Sequence, residues 1–64
     1  MSLITHKNID DHDGAYAELL AAHKGLDAEA SVALNARLIL ILMNHIGDRA
    51  VLREAIDLAR TSGA

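Results

Sequence analysis

An all-α fold, three helices forming a small domain around a long central one and led by an extended N-terminal arm, is what three features of this 64-residue sequence predict. The first is the stretch Ser31 to Gly47, whose middle runs Leu38, Ile39, Leu40, Ile41, Leu42, Met43 with no polar break. A helix there is apolar on every side and needs cover on every side. The second is composition: 52% of the chain is hydrophobic, carried by Ala, Leu and Ile, with no proline and Tyr16 as the only aromatic. Such aliphatic, proline-free chains favour helix. The third is punctuation, since Gly25 and Gly47 divide the chain and Asp27 and Asp48 follow them as ready helix caps.

Taken in order, Met1 to Asp10 shows no helical period, and Leu3, Ile4 and Ile9 suit an arm lying along a surface. The acidic run Asp10, Asp11, His12, Asp13 belongs before a helix, where carboxylates accept from free amides and oppose the positive helix end. With Asp11 as cap, the first helix spans about His12 to Lys24, placing Tyr16, Leu19, Leu20 and His23 on one stripe. Gly25 ends it in a left-handed conformation. Asp27 caps a second helix from Ala28 to about Ile46, roughly 28 Å long at 1.5 Å per residue. Gly47 stops that helix and Asp48 caps a third, Arg49 to Arg60, with Leu52, Ala55, Ile56 and Ala59 on one face. Thr61 to Ala64 should fray. A buried strand over Leu38 to Met43 is the competing reading, but its flanks carry no turn signal before Gly47 and it has no partner strand in the sequence.

The length suits one domain, residues 1–64, near the lower size at which a chain without staples buries a sufficient core. The absence of cysteine rules out disulfides and thiolate zinc sites. A net charge of −3, with the six Lys and Arg scattered, lacks the basic stripe of a nucleic-acid binder. The start MSLITHKNIDD has no signal-peptide pattern, and the longest apolar run falls short of the ~20 residues of a membrane span. A cytoplasmic protein, with no nucleic-acid or membrane partner, is the expectation.

On the central helix, Glu29, Ala33, Arg37, Leu40 and Asn44 share one side, taken as the most solvent-facing. Ser31, Asn35, Leu38, Leu42 and His45 lie opposite, so polar groups stand in line with the core. Val32, Ala36, Ile39, Met43 and Ile46 form one flank; Ala30, Leu34 and Ile41 form the other. The two short helices cover about two of three apolar surfaces, and Leu40 with the remainder has no cover within the chain. Monomers rarely leave such a patch open. Self-association through the central helix is therefore expected, a symmetric dimer being the commonest form, with a further protein partner possible.

Folding the first two helices back about Gly25 and Leu26 sets Tyr16 opposite Asn35, and the simple expectation is that phenol and amide satisfy each other. The sharper alternative makes Asn35 a register-setting group at an oligomer interface. His45 ends the central helix, where a cation is favoured by about 0.3–1 kcal/mol. Arg37 is the one charge embedded in the long apolar helix, with Asp57 expected nearby. No two of His6, His12, His23 and His45 have metal-ligand spacing, and the Asp10–Asp13 run lacks the rest of a calcium loop. No metal, cofactor or catalytic residue is assigned. Ser31 and His45 lie too far apart along one helix to form a nucleophile and base, and an enzyme is not expected.

The segments Leu34-Asn35-Ala36-Arg37-Leu38-Ile39-Leu40-Ile41-Leu42, Asn44-His45-Ile46-Gly47-Asp48 and Val51-Leu52-Arg53-Glu54-Ala55, with Tyr16-Ala17-Glu18-Leu19 and Ala22-His23-Lys24-Gly25-Leu26 before them, carry a resemblance. They are similar to a family of very short bacterial proteins catalogued only as a domain of unknown function. The resemblance spans nearly the whole chain and implies a compact helical fold with no assigned activity and no residue roles to carry over. His12 stands where family members tend to have proline. The sequence thus points to a small non-catalytic interaction or accessory protein. A small-molecule or metal-binding protein is the alternative, its site built across an oligomer interface from Tyr16, Asn35, Arg37 and His45.

Overall fold

The computed structural model describes residues 2–62 and is all-α among them: α1 (His12–His23), α2 (Ala28–Ile46) and α3 (Arg49–Ser62). The expected place of Met1 in the arm and the expected fraying of Gly63 and Ala64 lie outside the described residues.

Each helix begins on an aspartate, because one carboxylate oxygen satisfies an amide that the helix itself leaves free. Asp11 Oδ1 accepts from Gly14 N at 2.9 Å, Asp27 Oδ1 from Ala30 N at 2.8 Å, and Asp48 Oδ1 from Ala50 N at 2.9 Å and Val51 N at 3.3 Å. Gly14 has a further part in the first cap. A Cβ built on it would lie 2.2 Å from Asp11 Oδ2, so the carboxylate occupies space that any other residue would fill.

The helix ends differ from one another. α1 stops at His23, and Lys24, expected inside it, is its cap in extended conformation (φ −61°, ψ 128°). With Gly25 at φ +83° and Leu26 N donating to His23 O at 3.1 Å, residues 23–26 form a type II turn, which requires positive φ at its third position. α2 ends on Gly47 at φ +68°, whose amide donates to Met43 O at 2.9 Å. α3 runs two residues past Arg60, so Thr61 is helical rather than frayed. Its hydroxyl donates back to Asp57 O and Leu58 O, both at 3.1 Å. Residues 2–9 form neither helix nor strand, and Leu3 N donates to Glu54 Oε2 of α3 at 2.8 Å.

Burial is slight. Val51 alone among the described residues is buried, at 6% exposure, while Leu19, Leu34, Leu38, Met43 and Leu52 are half-buried. The accessible surface is 5663 Å². A compact monomer of this mass exposes about 3,950 Å², so the chain carries roughly 1,700 Å² beyond that. The radius of gyration tells the same story: 13.3 Å, against about 10.7 Å for a compact domain of this length. The three helices are splayed, and the spaces between them open as grooves.

Candidate interaction grooves on the central helix

α2 borders a groove on each side. Toward α1, Ala15, Glu18, Leu19 and Ala22 face Leu34, Arg37, Leu38, Ile41 and Leu42 across a cleft of about 810 Å³ that Ile9 also lines. Toward α3, Ile39, Leu42, Met43 and Ile46 face Leu52, Ala55, Ile56 and Ala59 across about 310 Å³. An adjoining hollow shares Met43, Leu52 and Ile56 and is rimmed by Arg49 and Arg53. Both grooves are walled by aliphatic side chains. The first carries two charged groups, Glu18 and Arg37, and the second none within its walls.

The residues singled out in the sequence do not gather at one place. Asn35 is satisfied by His23, not Tyr16: its Oδ1 lies 3.1 Å from His23 Nε2, and with that oxygen accepting, the imidazole N–H donates. The expected Tyr16–Asn35 pairing is therefore corrected, and Tyr16 stands 56% exposed. The reason lies in the connection. Lys24 and Asp27 are both extended (ψ 128° and 176°), which carries the chain past the end of α1 before α2 begins. The end of α1 then lies beside Leu34 and Asn35, several residues further along α2 than a symmetric fold-back places it.

Arg37 lines the α1 side with Glu18, and no ion pair joins it to Asp57 among the described residues. Leu40 is 65% exposed, on the side expected to face solvent. His45 is exposed in the last turn of α2, about 15 Å along the axis from Asn35 at 1.5 Å per residue. Among the described residues no three His, Cys, Asp or Glu side chains cluster closely enough to hold a metal ion.

Four residues take part that the sequence did not single out for these contacts. A symmetric fold-back about Gly25 and Leu26 sets His23 beside the start of α2, away from Asn35, and Glu54, which accepts from Leu3 N, has no local signal. Arg49 and Arg53 did have one. They stand at i, i+4 with Ile56 three residues on, a spacing that puts them beside the apolar face of α3.

The molecule is thus a small all-α protein whose central helix presents two open aliphatic grooves. It belongs to the family described as protein of unknown function (DUF2783), which matches residues 3–61. No curated protein and no solved structure matches the chain. No helix among the described residues is long and apolar enough to cross a membrane.

Proposed function

We propose that this protein is a small, non-catalytic interaction subunit that self-associates through α2, with a symmetric dimer as its working form. The observation that carries the reading is the surplus surface: roughly 1,700 Å² beyond a compact monomer, with Val32, Ile39, Leu40 and Ile41 all more than half exposed along one helix. A protein of this size cannot hold its helices in place with one buried valine, because conformational entropy costs about 1–2 kcal/mol per ordered backbone residue. A second chain supplies the missing apolar contact. Obligate homodimers bury about 2,000–5,000 Å² in total, and two such surpluses fall inside that range.

An assembly built on aliphatic side chains with no disulfide suits a reducing compartment such as the cytoplasm. The alternative site of Tyr16, Asn35, Arg37 and His45 draws no support from one chain, where the four are dispersed over two helices. Sedimentation of the purified protein at micromolar concentration is the test. A dimer that does not bind a hydrophobic dye is the expected result, and a monomer, most plainly one that does not bind the dye, overturns the proposal.

A further inference from the structure

One stripe of α2 has the spacing of a helix-pairing seam. Val32, Ala36, Ile39, Met43 and Ile46 follow one another at intervals of four, three, four and three, an average of 3.5 residues, the period that keeps a row of side chains facing a second helix. The stripe is open at its N-terminal half, with Val32 at 68% and Ile39 at 56% exposure, and at its C-terminal half forms one wall of the α2–α3 groove. It has a knob at one end and a hole at the other. From this and from the dimer proposed above, on which it rests, we infer that the α2–α3 groove receives the N-terminal half of α2 from a second copy, laid antiparallel about a two-fold axis between Arg37 and Leu38.

Three observations choose that occupant and that direction. In the antiparallel register Val32 meets Met43 of the second copy and Ala36 meets Ile39, so both kinds of apolar layer set a smaller side chain against a larger one, as efficient packing requires. A parallel pair sets Ala36 on Ala36 and Ile39 on Ile39, leaving one layer thin and the next crowded. Charge decides the same way. The antiparallel register brings Glu29, one turn before Val32, level with Ile46 of the other copy. There Arg49 and Arg53 rim the hollow that opens beside Met43. The parallel register sets Glu29 against Glu29 and leaves both arginines at the far end. Finally, the contact is reciprocal: each copy both inserts Val32 and receives it, as an isologous interface demands, and closes at two chains.

The chain has no cysteine, so engineered cysteines report on the register without background. Under mild oxidation the Val32→Cys, Met43→Cys double variant is expected to run as a covalent dimer on a non-reducing gel. The two single variants stay unlinked, because like positions lie about 16 Å apart at 1.5 Å per residue. Glu29→Arg is expected to weaken the dimer several-fold in sedimentation, and Arg49→Glu with Arg53→Glu to restore it. Cross-linking by Val32→Cys alone, or by no variant while the natural chain sediments as a dimer, overturns the register and leaves self-association standing. A monomeric natural chain overturns both.

Discussion

Asp11, Asp27 and Asp48 each spend one carboxylate oxygen on the first turn of a helix, yet they are not equivalent. Asp27 stands in the extended conformation usual for a cap (φ −76°, ψ 176°), whereas Asp11 is held at φ −115°, ψ 74°, with its carboxylate pressed where a side chain on Gly14 would be. Removing a cap costs about 0.5–2 kcal/mol. Asp27→Ala and Asp48→Ala are expected to fall in that range by urea unfolding at fixed protein concentration. Gly14→Ala is a finer probe. Alanine is worth about 1 kcal/mol over glycine inside a helix, but here its methyl displaces the capping carboxylate. The substitution is therefore expected to stabilise an Asp11→Ala chain by about 1 kcal/mol and the natural chain by clearly less, read as a double-mutant cycle. Gly47, left-handed at φ +68°, is expected to lose about 1–2 kcal/mol on replacement by alanine. Asn35 is bonded to His23 within its own chain, and in the proposed dimer it stands beside the seam rather than on it. Asn35→Leu is expected to leave the oligomeric state unchanged in sedimentation, and a mixture of states would show that the amide sets register after all.

At the scale of the element, exposure and consequence part company. Val32 on α2 is 68% exposed and Leu58 on α3 is 49% exposed, and surface substitutions of such residues ordinarily change stability by less than about 0.5 kcal/mol. If α2 is the assembly surface, Val32→Lys dissociates the protein and Leu58→Lys does not. Equal, small effects of both in sedimentation would contradict a role for α2. The limits of the helices were readable from the residues, because aspartate, glycine and the apolar run act over a single turn. α2 runs from Ala28 to Ile46, as its caps require. Where α1 lies along α2 was not readable. The shift that pairs Asn35 with His23 comes from two extended residues in a four-residue connection, and no spacing in the sequence records it.

The whole molecule is an open one, and its stability is tied to its concentration if a second copy completes it. Binding that occurs only in the folded state raises the melting temperature with chain concentration. A rise across a hundredfold concentration range, followed by circular dichroism, is the expected outcome, and a constant value would point to a chain that folds alone. The residue anchoring the N-terminal segment, Glu54, offers a second check at this scale. Glu54→Ala removes the acceptor for Leu3 N and is expected to speed hydrogen exchange of that amide without changing helix content.

What the sequence determined by itself was local: three helices, their aspartate caps, the glycines between them, and an excess of aliphatic side chains on the central one. These follow from interactions within four residues of chain, which the order of residues states directly. How far the helices stand apart was settled only once the chain had folded. The chain path between helices places the two grooves and the His23–Asn35 bond, because each depends on residues brought together by a short extended turn or by the splay of α3 after Gly47. The central helix demanded cover from the outset, and three splayed helices leave Val32, Ile39, Leu40 and Ile41 more than half exposed.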